Sequence, residues 1–179
     1  MENAVRIIGG KWRGRKLRFP SQDDLRPTLG RVRETLFNWL RADLQGATCL
    51  DLYAGTGALG FEAESIGAKA VTLVEPDRLA LRALQQSAKS LNSQARIVQA
   101  KALDFLGKTP TPWNIVFLDP PFQSAQLEPT LERLRAAQLV TDFVYYECHV
   151  KSVKSWHGWH VHRSNKAGES AYGLLIPEK

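Results

Sequence analysis

The chain has 179 residues, of which 44% are hydrophobic and 23% charged, and its formal net charge is +6. A chain of this length folds as one domain, with room for a small appendage at most. No run of about 18 apolar residues is present, which excludes a transmembrane helix, and the first residues form no apolar signal-peptide core. We therefore expect a globular protein of the cytoplasm, in which Cys49 and Cys148, each inside an apolar strand-like run, are buried free thiols.

The first elements along the chain are strongly basic. Residues 4–19 (AVRIIGGKWRGRKLRF) predict two short strands joined by a glycine-rich turn. Residues 1–41 contain ten Lys and Arg against four Asp and Glu, so they carry the whole net charge, and the rest of the chain is neutral. Such clustering indicates a nucleic-acid phosphate backbone as partner, with a merely solvated basic face as the alternative. The candidate RNA-binding residues are Arg6, Lys11, Arg13, Arg15, Lys16, Arg18, Arg26, Arg31 and Arg33.

Helices and strands alternate through the rest of the chain. Apolar residues at helical spacing predict a helix over 29–43. Strands are predicted at 49–54, 70–75, 95–100, 114–118 and 142–149, with helices between them, and a hairpin of 158–163 and 171–177 with a loop through residues 165–168 closes the chain. This order predicts an α/β fold with a Rossmann-like, doubly wound, mostly parallel sheet closed by an antiparallel hairpin. We expect a basic extension over 1–28 and the main domain over 29–179.

The first strand of the alternation leads into a glycine-rich turn. Gly55, Gly57 and Gly60 match the G-x-G-x-x-G fingerprint of dinucleotide-binding folds, and Glu75 follows at the end of the second strand. NAD is one ligand that this pattern allows. Asp51 at the strand end disfavours it, because a pyrophosphate would meet a like charge. S-adenosylmethionine (SAM), which carries a sulfonium and an ammonium and no phosphate, fits an acidic strand end better.

Two further carboxylates are candidates for contacts with SAM. Glu75 is expected to accept hydrogen bonds from both ribose hydroxyls. Asp104, just after the third strand, either accepts from the adenine amino group or caps a helix. The full set of candidate cofactor-binding residues is Thr28, Asp51, Ala54, Gly55, Thr56, Gly57, Glu75, Pro76, Asp104 and Asp119.

The sequence Asp119-Pro120-Pro121-Phe122 follows the apolar run 114–118. Prolines remove backbone donors and fix an extended conformation before them, so the strand must end there in a rigid corner. The corner presents one carboxylate, backbone carbonyls and one ring at the carboxyl edge of the sheet, where ligands bind in open α/β folds. This grouping suits a planar base whose exocyclic amine is held by the acceptors while its ring stacks on the aromatic side chain. These four residues are the candidate catalytic residues.

Several segments together match one family pattern. They are RIIGGKWRGRKL, RPTLGRVRETLFNWL, DLYAGTGALGFEAESIGA, VEPD, DFL, VFLDPPF and GLLIP. On these segments the chain resembles the bacterial 16S rRNA guanine-N2 methyltransferases of the RsmD type over nearly its whole length. The part around RPT and RVRETLFN is the most specific, because other amino-methyltransferases share the glycine turn and the Asp-Pro-Pro motif. The chain differs from the family pattern at Thr56, where Ser is common, and at Phe122, where Tyr is common, and residues 123–165 match least well.

The resemblance implies a function and a mechanism. The expected reaction is methylation of N2 of a guanine, at position 966 of 16S rRNA, with SAM as donor and the assembled or assembling small ribosomal subunit as partner. Thr28 is expected near the methionine end of SAM, with a helix-capping role as the alternative. Asp119 and the Pro120 carbonyl would accept hydrogen bonds from N2, so that its lone pair faces the methyl group for direct in-line transfer. Phe122 would stack on a base that has left the helical stack.

Other functions remain open from the sequence. A DNA adenine-N6 or cytosine-N4 methyltransferase also uses Asp-Pro-Pro-aromatic, but residues 123–141 leave room for only one crossover helix and no target-recognition domain. A protein glutamine methyltransferase would more typically have Asn at position 119. A non-catalytic rRNA-binding assembly factor with a vestigial SAM fold is the third alternative. No metal is expected, because the four histidines lack metal-ligand spacing, and a monomer is the default.

Overall fold

A computed structural model describes residues 2–20 and 28–178 of the chain. The strands are β1 (Glu2–Arg6), β2 (Lys16–Pro20), β3 (Thr48–Asp51), β4 (Ala70–Val74), β5 (Arg96–Val98), β6 (Trp113–Leu118), β7 (Val140–His149), β8 (Trp159–Ala167) and β9 (Ser170–Pro177). The α-helices are α1 (Gly30–Leu40), α2 (Ala58–Ile66), α3 (Arg78–Leu91), α4 (Ala102–Leu106) and α5 (Leu127–Ala136). None of the helices in these two segments is both long and apolar enough to cross a membrane.

The central sheet has seven strands in the order β5-β4-β3-β6-β7-β9-β8. The first five are parallel to one another, and β9 pairs antiparallel with both β7 and β8. The predicted fold class is therefore confirmed. The strand order reverses between β3 and β6, because the chain moves from β3 towards β5 on one side and from β6 towards β7 on the other. In open α/β sheets the carboxyl ends of the strands at this reversal form the ligand crevice.

Several boundaries differ from the sequence prediction, three of them near the loops of the sheet. β3 ends at Asp51 instead of residue 54, because the chain turns there into the glycine-rich loop. β5 is confined to Arg96–Val98. β8 continues to Ala167, so Lys166 is paired with Ala171 in the hairpin and does not lie in a loop. The turn between the strands is the short Gly168–Glu169 connection, with Gly168 at φ +61°.

The sheet is covered on both faces, as a parallel sheet requires. One face packs against α1, α2 and α3 through side chains such as Leu36, Phe61 and Leu84. The other packs against α4 and α5 through Phe105 and Leu131. Both cysteines are buried and free, as predicted.

The N-terminal strands β1 and β2 form an antiparallel hairpin that packs on α2 and α3. Its inward side chains belong to the same hydrophobic core as the first face of the sheet; they are Val5, Ile7, Trp12, Leu17 and Phe19. The basic extension is thus anchored by apolar side chains facing the core. Its alternate, outward positions carry most of the positive charge.

A buried carboxylate on α2 also holds this hairpin. Glu62 accepts hydrogen bonds from the backbone N–H groups of Ile8 (2.9 Å) and Gly9 (2.6 Å). Arg33 Nη1 lies 3.4 Å from Glu62 Oε2 and also donates to the carbonyl of Arg6 at 3.0 Å. A buried charge is tolerated when it is paired and hydrogen-bonded, and Glu62 meets both conditions.

Candidate active site

Two aspartates stand at the strand reversal. Asp51 is the last residue of β3, and Asp119 directly follows β6, the neighbouring strand. The chain continues from Asp119 through two prolines into a single 3₁₀ turn that begins at Phe122. Parallel strands end at one edge, so both carboxylates reach the same crevice.

The glycine loop has the backbone geometry that the fingerprint predicts. Gly55 and Gly57 have φ of +50° and +78°, which is the left-handed region that favours glycine. A Cβ at Gly60 would lie 2.1 Å from the Leu73 side chain, so α2 approaches β4 too closely for any larger residue there. Ala54 and Thr56 lie in the same loop and are buried. The glycines of this loop therefore leave the backbone at the crevice accessible, without side chains in between.

Asp51 is almost completely buried, at 1% exposure. Its Oδ2 accepts from the backbone N–H of Gly60 at 3.1 Å, and its Oδ1 has no hydrogen-bond partner within the described part of the chain. Burial raises the pKa of Asp51 to about 7, against the lowering effect of the backbone hydrogen bonds from Gly60 and Tyr53, and Glu75 raises it further. A buried acceptor without a donor costs free energy. It is a fitting partner for a cationic or N–H donor in a ligand.

Glu75 follows β4 and lies beside the glycine loop. Its Oε2 accepts from the Gly55 N–H and its Oε1 from the Asp77 N–H, both at 2.9 Å. Burial raises the pKa of Glu75, and these two hydrogen bonds lower it. Each carboxylate oxygen can accept a second hydrogen bond. Contacts with two ribose hydroxyls therefore stay compatible with this geometry, while the backbone contacts fix the side chain in place.

The other predicted cofactor residues occupy more open positions. Pro76 is exposed beside Glu75. Asp104 is an exposed residue in the first turn of α4. The alternative that Asp104 caps this helix is wrong, since Lys101 occupies the N-cap position. The adenine contact of Asp104 stays a prediction.

The Asp-Pro-Pro-Phe corner is held by a residue far away in sequence. Thr28 Oγ1 donates to Asp119 Oδ2 at 2.8 Å and is buried. The alternative that Thr28 caps α1 is wrong, because Leu29 is the N-cap residue and no side chain caps that helix. Thr28 instead orients the candidate catalytic carboxylate.

The rest of the corner presents acceptors and one ring. The Pro121 carbonyl accepts from both Ser124 N (2.9 Å) and Ser124 Oγ (2.7 Å), so this carbonyl of the corner is not free for a ligand. Pro120 is buried. The Phe122 ring is 45% exposed and meets the imidazole of His149 edge-on, with centroids 6.2 Å apart. An exposed ring at this edge is available for stacking on a base.

The sequence prediction missed one residue of the site. Glu147 lies at the carboxyl end of β7, beside Asp119, and is 6% exposed. Burial raises the pKa of Asp119 well above the usual range for aspartate; the charge of Glu147 raises it further, while the hydrogen bond from Thr28 lowers it. The signal was an acidic residue inside the apolar run YYECH, at a strand end that must reach the same edge as Asp119.

A cavity of about 400 Å³ opens beside the corner. Its walls come from the corner itself, from the first turn of α5 and from the segment after β7. The lining residues nearest the corner and the end of β7 include Pro120, Pro121, Phe122, Glu147 and His149. The described residues contain no cluster of three or more His, Cys, Asp or Glu side chains arranged to hold a metal.

The predicted RNA-binding residues divide into two groups. Seven lie on the surface of the hairpin or at the start of α1: Arg6, Lys11, Arg13, Arg15, Lys16, Arg18 and Arg31. Arg26 lies outside the described residues. The prediction for Arg33 is wrong, because its side chain is buried at 3% exposure and paired with Glu62. The signal was present in the sequence: Arg33 shares the helical face of Leu36, Phe37 and Leu40.

Known proteins share this architecture. The protein named "Ribosomal RNA small subunit methyltransferase D" of Escherichia coli K12 is 45% identical over 181 residues, covering 97% of this chain and 90% of its own length. The solved structure of the Escherichia coli protein yhhF superposes with a TM-score of 0.89 at 44% identity, covering 98% of this chain and 99% of that one. The Thermus thermophilus 16S rRNA N2 G1207 methyltransferase RsmC, solved with AdoMet and guanosine, superposes with a TM-score of 0.71 over 100% of this chain and 50% of its own, but at 19% identity it shows the fold alone.

These comparisons identify the chain at two levels. The fold is that of the class I SAM-dependent methyltransferases. The family model described as "Conserved hypothetical protein 95" matches residues 5–176, and the chain belongs to this family. The resemblance to the RsmD-type enzymes is thereby confirmed.

Proposed function

We propose that this protein methylates the exocyclic N2 of a guanine in 16S rRNA, using SAM and acting on the assembled or assembling small ribosomal subunit. The observation that carries the proposal is the half-buried Asp119, oriented by Thr28 at the strand reversal, in a chain 45% identical to a ribosomal RNA small subunit methyltransferase. Position 966 is the target that the family resemblance implies.

The crevice suits SAM on three points. Oδ1 of Asp51, which has no hydrogen-bond partner among the described residues, is a fitting acceptor for the ammonium of the methionine moiety. Glu75 is fixed by two backbone N–H groups and keeps lone pairs for the ribose hydroxyls. The left-handed backbone at Gly55 and Gly57 lets the chain approach the ligand closely. Bound SAM supplies an electrophilic methyl group on a sulfonium.

The corner suits an exocyclic amine. The lone pair of guanine N2 is delocalised into the ring, so the amine is a poor nucleophile until it is repositioned. Asp119 Oδ2 accepts from Thr28, so Oδ1 is the acceptor assigned here to N2–H, with the Pro120 carbonyl as second acceptor. Phe122 offers an exposed face for the base that has left its stack. Catalysis in this arrangement depends on positioning and electrostatics.

RNA is favoured over DNA by the size of the chain between β6 and β7. This stretch holds one 3₁₀ turn and the helix α5, which leaves no target-recognition domain. The exposed basic residues of the hairpin supply phosphate contacts, which give affinity without reading sequence. A folded RNA surface on the ribosomal subunit would then select the guanine by shape.

The decisive experiment is transfer of labelled methyl from SAM to small ribosomal subunits that lack the modification, with double-stranded DNA assayed in parallel. Identification of N2-methylguanosine in 16S rRNA, mapped by mass spectrometry of nuclease fragments, is the expected result. Label in DNA would replace the proposal by the DNA enzyme. Binding of SAM and rRNA without any label would replace it by the vestigial assembly factor.

A further inference from the structure

Asp119 and Glu147 lie side by side at the crevice. β6 and β7 are parallel neighbours whose last paired residues are Leu118 and Tyr146, and each carboxylate is the next residue of its own chain segment. Neighbouring strands are about 4.8 Å apart, and residues at equivalent positions project to the same face of the sheet. The two carboxylates therefore form an adjacent pair.

Each carboxylate is held by a neutral hydroxyl. Thr28 Oγ1 donates to Asp119 Oδ2 at 2.8 Å, and the Tyr145 hydroxyl donates to Glu147 Oε2 at 3.0 Å. Ser170 adds a second hydroxyl contact to Glu147. A carboxylate can accept about four hydrogen bonds, so both groups keep acceptor capacity. Within residues 2–20 and 28–178, neither carboxylate forms a salt bridge with Lys or Arg.

Glu147 also reaches the space into which a base would enter. It lines the cavity of about 400 Å³ together with Pro120, Pro121 and Phe122. Of the two carboxylates, Glu147 lines this cavity with the exposed ring of Phe122, and Asp119 immediately precedes Pro120 at its edge. A base stacked on that ring would have Glu147 in the same cavity and Asp119 next to it.

The chemistry of the bases determines which one fits a pair of acceptors. Guanine presents N2–H and N1–H, two donors on adjacent atoms of its Watson–Crick edge. Adenine and cytosine present one amino donor beside a ring nitrogen that is an acceptor. Two adjacent carboxylates would hydrogen-bond to both guanine donors, whereas the second carboxylate would face a lone pair in adenine or cytosine. A polar site rejects an analogue that leaves its buried groups unpaired far more strongly than an apolar site does.

We propose that Glu147 is the residue that selects guanine, by accepting the N1–H hydrogen bond while Asp119 accepts from N2–H. This inference rests on the proposed function and adds the group that distinguishes guanine from the target bases of other Asp-Pro-Pro enzymes. It also accounts for two neighbouring carboxylates that have no Lys or Arg partner among the described residues. The two donors of guanine replace the hydration that burial removes from the pair.

The test compares guanine with 2-aminopurine, which keeps the 2-amino group but carries an acceptor at N1. Small subunits are reconstituted with 16S rRNA that has either base at the target position, and kcat/KM is measured for wild type and Glu147→Gln. Wild type is expected to prefer guanine by at least about a hundredfold. In the variant the amide can donate to N1 of 2-aminopurine, so this preference is expected to fall at least about tenfold. The ratio of the two substrates is insensitive to a general loss of active protein.

Each remaining outcome decides the inference. Glu132→Gln, an exposed residue of α5, is the matched control and should leave the ratio unchanged. Equal loss on both substrates in Glu147→Gln would show that Glu147 is merely structural and would overturn the inference alone. Wild type that methylates 2-aminopurine within threefold of guanine overturns it as well, even if the variant does not fold. Failure of wild type to make any N2-methylguanosine would overturn both this inference and the proposed function.

Discussion

Buried carboxylates occur in two regions of this molecule, and their hydrogen bonding differs. Under the N-terminal hairpin, Glu62 accepts from two backbone N–H groups and pairs with Arg33. At the strand reversal, Asp51 keeps one oxygen without any partner in the described residues, and Asp119 is held by a single hydroxyl. Burial raises the pKa in both regions.

The direction of a pKa shift therefore does not separate a structural carboxylate from a functional one here. The two kinds of carboxylate differ instead in how many of their hydrogen bonds are made within the protein. Glu62 has its partners within the protein and connects the hairpin to α2. The carboxylates at the strand ends retain acceptor capacity that a ligand can use. Removing one hydrogen-bonding partner at a time should therefore lower the stability of the protein in the first region. In the second region it should lower ligand binding or methyl transfer.

The largest effect is expected from Asp119→Ala. Removing the acceptor for N2–H should lower single-turnover methyl transfer by about 10²- to 10³-fold, the range observed when one preorganised electrostatic contact to a transition state is lost. Binding of small subunits should stay within about threefold of wild type, because the basic hairpin is untouched. Near-full activity in this variant would remove Asp119 from the mechanism.

Glu132→Ala provides the comparison for that substitution. Glu132 lies exposed on α5 and does not line the cavity. It should retain wild-type rates, so that a loss in Asp119→Ala reports the site and not the removal of any acidic side chain.

Two arginines on α1 separate stability from RNA affinity. Arg33→Met leaves Glu62 buried without its cation, which should cost about 3 kcal/mol and lower Tm by about 10 °C in a chain of this size. Arg31→Met, two residues earlier on the exposed face, should leave Tm unchanged and weaken binding to small subunits. Thermal denaturation and filter binding on both variants provide the check. If Arg33→Met retained the wild-type Tm, the structural role of the Glu62 pair would be refuted.

These arginines also show where sequence reasoning reached its limit. The glycine loop, the Asp-Pro-Pro corner and the alternation of elements were predictable because local spacing and proline chemistry determine them. The partners of Thr28 and Glu147 were not, since they depend on how distant segments meet at the strand ends. Arg33 was misassigned because clustered positive charge was given more weight than its position on the apolar face of α1.

Asp51 should make SAM affinity depend on pH. Burial raises the pKa of Asp51 to about 7, so the carboxylate is protonated below that value and loses its attraction for the SAM ammonium. The Kd for SAM should rise up to tenfold per pH unit as pH falls below about 7. Isothermal titration calorimetry between about pH 5.5 and pH 8 measures this slope. Asp51→Asn should bind more weakly at pH 8 and show a flat profile, and a pH dependence equal to that of wild type would assign the titration to another group.

The same shift has a consequence for the free protein. A carboxyl whose pKa is raised on folding stabilises the folded state while it is protonated, and the stabilisation is lost as pH rises from the usual value of 3.8 through about 7. Ligand-free protein should therefore lose stability over this range, and saturating SAM should reduce the loss. Asp51→Asn should remove this component of the pH dependence, which separates it from the carboxyl groups of Asp119 and Glu147.

The smallest effect is expected at the exposed face of the hairpin, where positive charge is spread over many side chains. The side chains of Arg13 and Lys16 are exposed, so Arg13→Ser with Lys16→Ser should remove at most two phosphate contacts. Each contact contributes roughly 0.7 to 0.9 to the slope of log K against log salt concentration. The double variant should therefore lower that slope by about 1.5 and leave Tm and SAM affinity unchanged. Lys69→Ser with Lys108→Ser removes equal charge elsewhere on the surface, and an equal change of slope there would mean that net charge, rather than the hairpin, binds the RNA.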